Sequence, residues 1–510
     1  MRLWPFNIVL SRSKAAAVVA AAGRAVRNIR GRFDSAQTND QNARHWASAD
    51  GLSADAAASP SVRAIIRNRS RYESANNAYA DGILETLAMD TIGRGPRLQI
   101  NTRSRLVNRQ IEKAFVAWAA AIGLAEKLRV ARRTKAVDGE VFGVISTNEA
   151  LEHPVKIDLR LVEADQVTDP TLQMPTRRDQ DGITFDAWGN PLSYKVLKDH
   201  PGASYWDADP SAFETISARN VVHYFTRKRP GQNRGLPEIM PSLPLFAYLR
   251  RYTLASIAAA EKAAAQSGVI WTDAPPGEEA DAATPFETID LEPDAMTILP
   301  GGWKMGQTEA EHPTTTYREF KREIVGEMAR PAHMPVNKAS GDSSGYNYSS
   351  GQLDHGTYFS AIRIGRTLIE SQILERLFAA WMEEAILIEG LLPQQFRMAG
   401  VGVPPHTWFW DGLQHADPVK ETTAATARLA NGTSSLADEC AKDGRDWEEV
   451  MLQRAREAAL ARKLGLPIPG MPAPAAAPAT APSHTDDNTD DENGDESVDE
   501  ISDDLEEVPA

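Results

Sequence analysis

The chain has 510 residues, of which 42% are hydrophobic and 25% charged, a composition that suits a globular protein with a sizeable core. The formal net charge of -15 is unevenly placed. Asp486 to Glu507 hold thirteen acidic and no basic residues, whereas residues 1–33 hold seven basic and no acidic ones. The single cysteine, Cys440, excludes an intrachain disulfide, and no apolar run is long enough to cross a membrane.

The first part of the chain predicts helices followed by strands. Apolar residues recur at helical spacing from Ser61 to Ile92, where Gly93 begins a stop signal, and again over 105–123. The period then changes to two, which is typical of strands. Strands are predicted near 141–145, 155–161 and 221–225, with a hairpin over 182–197 that turns at 188–191.

The middle of the chain predicts two long helices around a small strand-rich region. A loop over 229–237 precedes a helix that reaches about Gln266, and its alanine-rich second half suits close packing side by side. A helix returns from Thr314 and stops at Pro331 and Pro335. Between these helices, residues 273–287 form a loop flanked by strand-like stretches at 269–272 and 289–299.

The last part predicts a polar loop, a long helix and three shorter helices. Residues 337–352 are small and polar, and this run is too long for a simple connector. A helix is predicted over about 353–389. Helix-start signals follow at Asp417-Pro418, at Ser435 with Asp438 and at Asp446 with Glu449. Residues 471–510 are predicted to be disordered, because they cannot bury enough apolar surface to offset their ordering entropy.

One motif raises the possibility of catalysis. Gly341-Asp-Ser-Ser-Gly345 matches the G-x-S-x-G nucleophile pattern, with His333 and His355 nearby in sequence. That pattern needs a strand before the serine and a helix directly after it, whereas Ser343 lies in the polar loop. A serine hydrolase built on Ser343 therefore stays an alternative, and a loop is favoured. The sequence contains no phosphate-binding loop and no H-E-x-x-H motif, so we expect no enzyme activity, cofactor or metal.

Contact with DNA has two candidates, the basic N-terminal arm and Lys338. The body of the chain is almost neutral once the acidic tail is set aside, which argues against tight binding to many phosphates. Weak, non-specific contact with double-stranded DNA is the expectation. A second alternative, besides the hydrolase, is a scaffold or adaptor protein with disordered tails.

Six stretches, in order, resemble the lambda-type phage portal proteins. They are residues 67–100; 132–143, which contain Asp138-Gly139-Glu140; 182–194; 230–252; 320–352; and 416–420 with Asn431-Gly432 and 446–455. Asn347-Tyr-Ser-Ser350 is the most family-specific piece, although the residues before it, 341–346, depart from the usual form. The resemblance spans about residues 60–465, and the two termini are interpreted from composition only.

The resemblance implies an α+β subunit of a ring, typically of twelve copies, with a mixed α/β wing, a helical stem, a small β clip and a helical crown. The expected divisions are a basic, partly disordered arm (1–60), the wing (61–237), a stem helix (238–267), the clip (268–312), the returning stem helix (313–336), a tunnel loop (337–352), a long helix with the crown (353–470) and a disordered acidic tail (471–510).

The resemblance also implies the sites and partners of such a ring. The ring would sit at one vertex of the virion capsid, be made in the bacterial cytoplasm, nucleate head assembly and conduct DNA during packaging and ejection. Its partners would be the terminase large subunit, the neck proteins, the scaffold and the major capsid protein. The DNA-facing residues would be Lys338, Ser340, Ser343, Ser344, Tyr346, Asn347, Tyr348, Ser349 and Ser350, and the terminase-facing clip residues would be Asp273, Glu278, Glu279 and Asp281.

Overall fold

The computed structural model describes residues 43–170, 176, 178–209, 211–264, 268–272, 303–307, 316–345, 347–393, 402–412 and 418–467. They belong to two compact units, which divide between Arg445 and Asp446. Both helices and sheets are present, so the α+β class is confirmed. Among the described residues, no helix combines the length and the apolar character needed to span a membrane.

The elements of the first unit run in the following order. Its helices are α1 (Ala54–Ala57), α2 (Pro60–Asn76), α3 (Ala78–Ile92), α4 (Arg105–Ala121), α5 (Leu124–Asp138), α6 (Leu243–Ala264), α7 (Tyr317–Ala329), α8 (Val336–Ser340), α9 (Tyr348–Ile369), α10 (Glu375–Ala385), α11 (Pro418–Ala430) and α12 (Leu436–Lys442). Its strands are β1 (Arg97–Ile100), β2 (Glu140–Thr147), β3 (Ile157–Val162), β4 (Asp179–Gln180), β5 (Ile183–Phe185), β6 (Pro191–Leu197), β7 (Phe213–Ser217), β8 (Val221–Phe225), β9 (Gly268–Thr272), β10 (Trp303–Gln307) and β11 (His406–Phe409). In the second unit, α13 spans Trp447–Leu464.

A three-stranded antiparallel sheet, in the order β3-β2-β8, lies between two hydrophobic cores. Alternate residues of a strand face opposite sides of a sheet. Accordingly, Val141 and Ile145 pack in one core with α4 and α10, while Phe142 and Val144 pack in the other against β5 and β6. Burial on both faces explains why β2 reads as a continuous apolar run in the sequence.

A second antiparallel sheet has the order β4-β5-β6-β7. The turn between β4 and β5 is Asp181-Gly182, and both residues have positive φ, at 48° and 80°. This is the conformation that Asp-Gly favours in two-residue hairpins. The hairpin predicted over 182–197 is confirmed as β5 and β6, but its turn lies at 186–190 rather than at the predicted 188–191, and strand β7 adds a partner that the sequence does not predict.

A third core joins the helices α3, α5, α6, α7, α8 and α9. Phe246 and Leu249 of α6 meet Val325 and Met328 of α7 there, and Tyr252 stacks on Tyr317 with ring centres 5.6 Å apart. The first half of α6 therefore packs against α7, and close packing through its alanine-rich second half stays a prediction.

Helices α9 and α10 are joined by a π-helical turn at Glu370–Leu374. Tyr358 and Ile362 of α9 belong to the third core, whereas Phe378 and Trp381 of α10 belong to the core beneath β2. Within the turn, Glu370 accepts a hydrogen bond from Trp410 Nε1 at 2.5 Å, and Gln372 bonds the backbone of Phe225. The turn thus lies where one continuous helix passes from one core to another.

The sequence predictions of several further elements are wrong in detail. The single helix over 61–92 is two helices, because Asn77 leaves the helical conformation and its side chain caps α3. Helix α5 is not predicted by the sequence. Only Ile122 and Gly123 separate it from α4, and Gly123, with a positive φ, reverses the chain in place of a longer loop. Strand β9 pairs with β10, which was not predicted, and the strand-like stretch 289–299 lies outside the described residues.

Candidate functional site

The segment 337–352 is not one loop, contrary to the prediction. Helix α8 extends to Ser340, Gly341 reverses the chain with φ of +67°, and α9 already begins at Tyr348. The described residues of irregular structure in this segment are therefore only 341–345 and 347. The polar composition of this segment does not distinguish a loop from helix ends, because Ser, Asn and Gly are also the residues that begin and end helices.

Lys338 lies on α8 and is bound within the chain. Its Nζ is 2.5 Å from Asp90 Oδ2, and Tyr358 donates a hydrogen bond to the same oxygen at 2.9 Å. The ammonium also lies over the rings of Tyr358 and Phe359, 5.2 and 5.5 Å from their centres. Burial and the charge of Asp90 raise the pKa of Tyr358. The structure thus uses Lys338 to tie α8 to α3 and α9.

The exposed turn after α8 is held by Asp342. Its carboxylate accepts hydrogen bonds from the Ser344 backbone at 2.8 Å and from Arg318 at 3.0 Å, and Arg318 also contacts the Ser344 hydroxyl. The bonds from Ser344 and Arg318 lower the pKa of Asp342 to about 2. Ser343 is exposed in this turn, which follows a helix rather than a strand. The strained strand-turn-helix that the hydrolase motif requires is therefore absent from these described residues.

The family-specific piece Asn347-Tyr-Ser-Ser350 begins helix α9. Asn347 is the N-cap, and its side chain accepts hydrogen bonds from the Ser350 backbone at 2.8 Å and from the Ser350 hydroxyl at 2.9 Å. Ser340 plays a similar local role, because its hydroxyl bonds the Val336 carbonyl at 2.7 Å. Tyr346 and the side chains of Tyr348 and Ser349 lie outside the described residues.

Removal of this cap should loosen the start of α9. We expect Asn347→Ala to lower the free energy of unfolding by about 1 kcal/mol, because one capping bond to the first helical turn is lost. Asn347→Asp keeps an acceptor and serves as the control. Urea unfolding of both variants measures the effect, and equal midpoints for the alanine variant and the parent would contradict the assigned cap.

A buried charged cluster joins strand β2 to the loop before α6. Arg234 bonds Glu140 at 2.8 Å and Asp181 at 2.7 Å, and both Arg234 and Glu140 are buried. Glu140 also accepts bonds from the Gly235 backbone at 2.8 Å and from His223 Nε2 at 2.9 Å. Burial alone would raise the pKa of Glu140, but Arg234 and His223 outweigh it and lower that pKa. Both oxygens of the Glu140 carboxylate thus have hydrogen-bond partners.

A second charged cluster lies beside the first. Glu238 accepts a hydrogen bond from Arg132 at 3.0 Å and another from Lys135, while Asp138 is held by both nitrogens of the Arg71 fork at 2.8 and 2.7 Å. Burial would raise the pKa of Glu238, but Arg132 and Lys135 together lower it to about 2.

The backbones of the two segments touch between these clusters. A Cβ atom at Gly139 would lie 2.3 Å from the carbonyl carbon of Leu236, and one at Gly235 would lie 2.2 Å from the Gly139 carbonyl oxygen. Two segments, 138–140 and 233–238, are therefore held together by ion pairs and by close backbone contact at their glycines. We call Asp138, Glu140, Arg234, Gly235 and Glu238, with their partners, the charged hub.

The family model for lambda-family phage portal proteins matches residues 39–363, which is more than half of the chain. The chain belongs to the lambda family of phage portal proteins. The resemblance found in the sequence is thereby confirmed, and the interlocked segments of the charged hub lie within the matched range. The chain's role is that of a portal protein, and the family is structural rather than enzymatic.

Curated relatives of this portal chain come from several phages. The probable portal protein of Halomonas phage phiHAP-1 is 26% identical over 434 residues, which cover 79% of this chain and 82% of the relative. Portal protein B of Escherichia phage lambda is 22% identical, covering 67% and 69%, and the portal protein of Escherichia phage N15 is 23% identical, covering 63% and 66%.

Two solved structures that are similar to the portal chain come from gene transfer agent particles. A chain of the native virion covers 74% of this chain at 15% identity, with a TM-score of 0.43, and 93% of that chain is matched. A chain from the neck of the empty particle, computed with C6 symmetry, has a TM-score of 0.44 at the same identity and the same coverages.

The clip residues Asp273, Glu278, Glu279 and Asp281 lie outside the described residues. Glu163, Asp165 and His200 bring possible metal-ligand atoms within 4.8 Å of one another. However, Arg71 lies 2.8 Å from both carboxylates, so a cation of the chain itself already occupies this group.

The residues of the charged hub were not predicted as a site. Arg234 and Glu140 lie 94 positions apart, and nothing in a single sequence pairs them. The available signal was the resemblance itself, since both stretches were recognised as family segments with charged and glycine residues at their centres.

The charged hub should make portal stability depend on pH. Glu238 has a folded pKa of about 2, below the ordinary value of about 4.3. Its stabilisation is therefore complete above about pH 5 and is lost as the pH falls towards 2, by on the order of 2–3 kcal/mol. We expect the stability gap between the parent and Glu238→Gln to narrow over this range, as measured by urea unfolding at each pH. A gap that stays constant would contradict this role of Glu238.

Proposed function

We propose that this portal chain forms a closed ring, typically of twelve copies, at one vertex of a virion capsid. The ring nucleates head assembly, docks the terminase large subunit, conducts double-stranded DNA in both directions and joins the head to the neck proteins. The observation that carries the proposal is the family match over 39–363, which includes helices α6 and α7.

Helix α6 offers a surface for the neighbouring copy in such a ring. Leu254 and Ile257 are three positions apart, so they share one face of α6, and they are 61% and 49% exposed. Apolar side chains in such a position are covered when identical subunits pack side by side, and rotational symmetry lets the contact repeat until the ring closes.

Ring formation is tested by particle mass and electron microscopy. We expect the purified chain to give closed rings with about twelve times the mass of one chain. Leu254→Glu should release folded monomers, because it places a charge in the subunit contact. Leu106→Glu, at an 83% exposed position on α4, is the matched control. A parent protein that is only monomeric would contradict the ring, and intact rings of Leu254→Glu would contradict the α6 contact.

The turn after α8 is the part of the chain that we place against DNA. Ser343, Ser344, Asn347 and Ser350 are exposed, and small polar groups give weak contacts over which DNA can slide. Tyr346, Tyr348 and Ser349 belong to the same proposal by position. Lys338 contributes to this surface only when it leaves Asp90, because its ammonium is bound there.

The DNA-facing turn is tested by packaging. Deletion of Asp342 to Ser344 spares both α8 and the Asn347 cap, so rings and empty heads should form normally while packaged DNA falls. Lys338→Met removes the charge but keeps the contact with the Tyr358 ring. If Lys338 acts on DNA, this variant also packages poorly. Normal packaging by the deletion variant would overturn the assignment of the turn.

A further inference from the structure

Strand β7 is an open edge of the four-stranded sheet. It pairs with β6, and no other strand of the described residues lies beside it. Lys198 N donates to the Ala212 carbonyl at 2.9 Å, and Lys195 N points the other way, to the Gly182 carbonyl at 2.8 Å. Because bonded and non-bonded pairs alternate in an antiparallel ladder, Phe213, Thr215 and Ser217 direct their backbone groups away from β6.

The loop that leads into β7 presents aromatic side chains to solvent. Trp206 is 96% exposed and Phe213 is 38% exposed. The loop nevertheless has internal bonds, because Asp199 accepts hydrogen bonds from the Tyr205 hydroxyl at 2.6 Å and from the Asp209 backbone at 3.0 Å. An ordered loop with an exposed tryptophan beside an open strand edge has the features of a docking surface.

This surface is acidic. Residues 198–214 contain Asp199, Asp207, Asp209 and Glu214 against one basic residue, Lys198, which pairs with Glu214 at 3.9 Å. Asp207, Asp209 and Glu214 are exposed. A strand with basic flanks would complement this charge.

The chain itself contains such a strand-like segment near its start. Four of the five residues Phe6-Asn7-Ile8-Val9-Leu10 are apolar, three of them (Phe, Ile and Val) favour strands, and Pro5 precedes the segment. Arg2, Arg12 and Lys14 flank it, and residues 2–14 contain no acidic side chain. Its five residues equal the length of β7.

An early part of the described chain, near residue 55, lies close to this sheet. Asn233 donates hydrogen bonds to Asp55 at 2.7 Å and to Gln180 of β4 at 2.7 Å, so residues near 55 lie beside the strand at the other edge. Neighbouring strands are about 4.8 Å apart, which puts β7 roughly 15 Å from β4. Residues 11–42 can span on the order of 100 Å, so the segment reaches β7 of its own chain easily.

We propose that Phe6–Leu10 adds as a strand to the free edge of β7 in the same chain. Its backbone bonds the outward groups of Phe213, Thr215 and Ser217, its apolar side chains cover the exposed aromatics, and Arg2, Arg12 and Lys14 face the acidic loop. The strand closes an edge that could otherwise pair with other chains. This proposal is independent of the ring and of the DNA-facing turn.

Hydrogen exchange on the full-length protein tests the proposal. Deletion of residues 2–14 should speed exchange of the amides of Phe213, Thr215 and Ser217 by about tenfold or more, because their bonds are lost. Deletion of residues 15–27 removes the same number of residues but keeps the segment, so it should leave those amides protected. Equal exchange rates in the 2–14 deletion and the parent would overturn the proposal.

Cross-linking distinguishes the chain's own segment from that of a neighbouring copy. Cys440 is buried and is first changed to serine. Ile8→Cys with Thr215→Cys, treated with a short bismaleimide, should link the two positions within one chain, so the product migrates as a single chain on a denaturing gel. Links that join two chains, or no links at all, would overturn the assignment to the same chain.

Discussion

Arg234→Leu is expected to be among the most damaging single substitutions in this portal chain, with a loss of about 3–5 kcal/mol in the free energy of unfolding. Arg234 neutralises Glu140 and Asp181 and also donates to the backbone carbonyls of Ala164 and Val167. Without it, Glu140 keeps its charge in a position with no exposure to water. Urea unfolding, or the soluble yield where the variant does not fold, measures the loss.

Two further variants test whether the buried position of Arg234 sets the size of this loss in stability. Arg219→Leu breaks an ion pair with Glu383 whose side chains are 73% and 62% exposed, and it should cost less than about 1 kcal/mol. Glu140→Gln in the Arg234→Leu background removes the uncompensated charge, so it should restore part of the stability. Equal losses for Arg234→Leu and Arg219→Leu would show that burial does not set the strength of the charged hub.

Gly139→Ala should destabilise the chain by about 2–5 kcal/mol, because it combines two separate costs. Gly139 has φ of +92°, and its added methyl group would meet the Leu236 backbone at 2.3 Å. Backbone atoms of the interlocked segment cannot rotate away as a flexible side chain can. The neighbouring strand and loop must therefore separate, which also stretches the bonds of the charged hub.

Two other glycines separate the two costs. Gly189 has φ of +86° with nothing within 4 Å, so Gly189→Ala isolates the backbone strain and should cost about 1–2 kcal/mol. Gly235 has no positive φ but meets the Gly139 carbonyl, so Gly235→Ala isolates the close contact and should cost about 1–3 kcal/mol. Urea unfolding midpoints of the three variants measure the cost of the backbone strain and the cost of the close contact. A Gly139→Ala variant no weaker than Gly189→Ala would contradict the tight contact.

Elements with strong local signals could be predicted from the sequence. The strands β2, β3 and β8, the hairpin of β5 and β6 and the capping box of Ser435 with Asp438 are all present. These features depend on side chains a few positions apart, whose preferences act within one element. The fold class followed from them and from the family resemblance.

Contacts between distant residues could not be predicted in the same way. Lys338 reads as a free charge in a polar loop, but it is paired with Asp90, which lies 248 positions earlier. Strand β11 pairs with β1 across about three hundred residues, and neither strand was predicted. The polar residues of 337–352 are compatible with a loop or with helix ends, and only packing against α3 and α9 decides between them.

Because of the π-helical turn at Glu370–Leu374, the buried faces of α9 and α10 point in different directions around the helix axis. Each residue of an α-helix advances it by about 100°, and a π turn accommodates one extra residue without interrupting the chain. The face that α9 presents to the α6–α7 core is thereby rotated relative to the face that α10 presents beneath β2. The helix is continuous in the chain, but the π turn sets the angle between its two buried faces. Removing one residue within Glu370–Leu374 would rotate one buried face by about 100° relative to the other, so that both could no longer fit their cores.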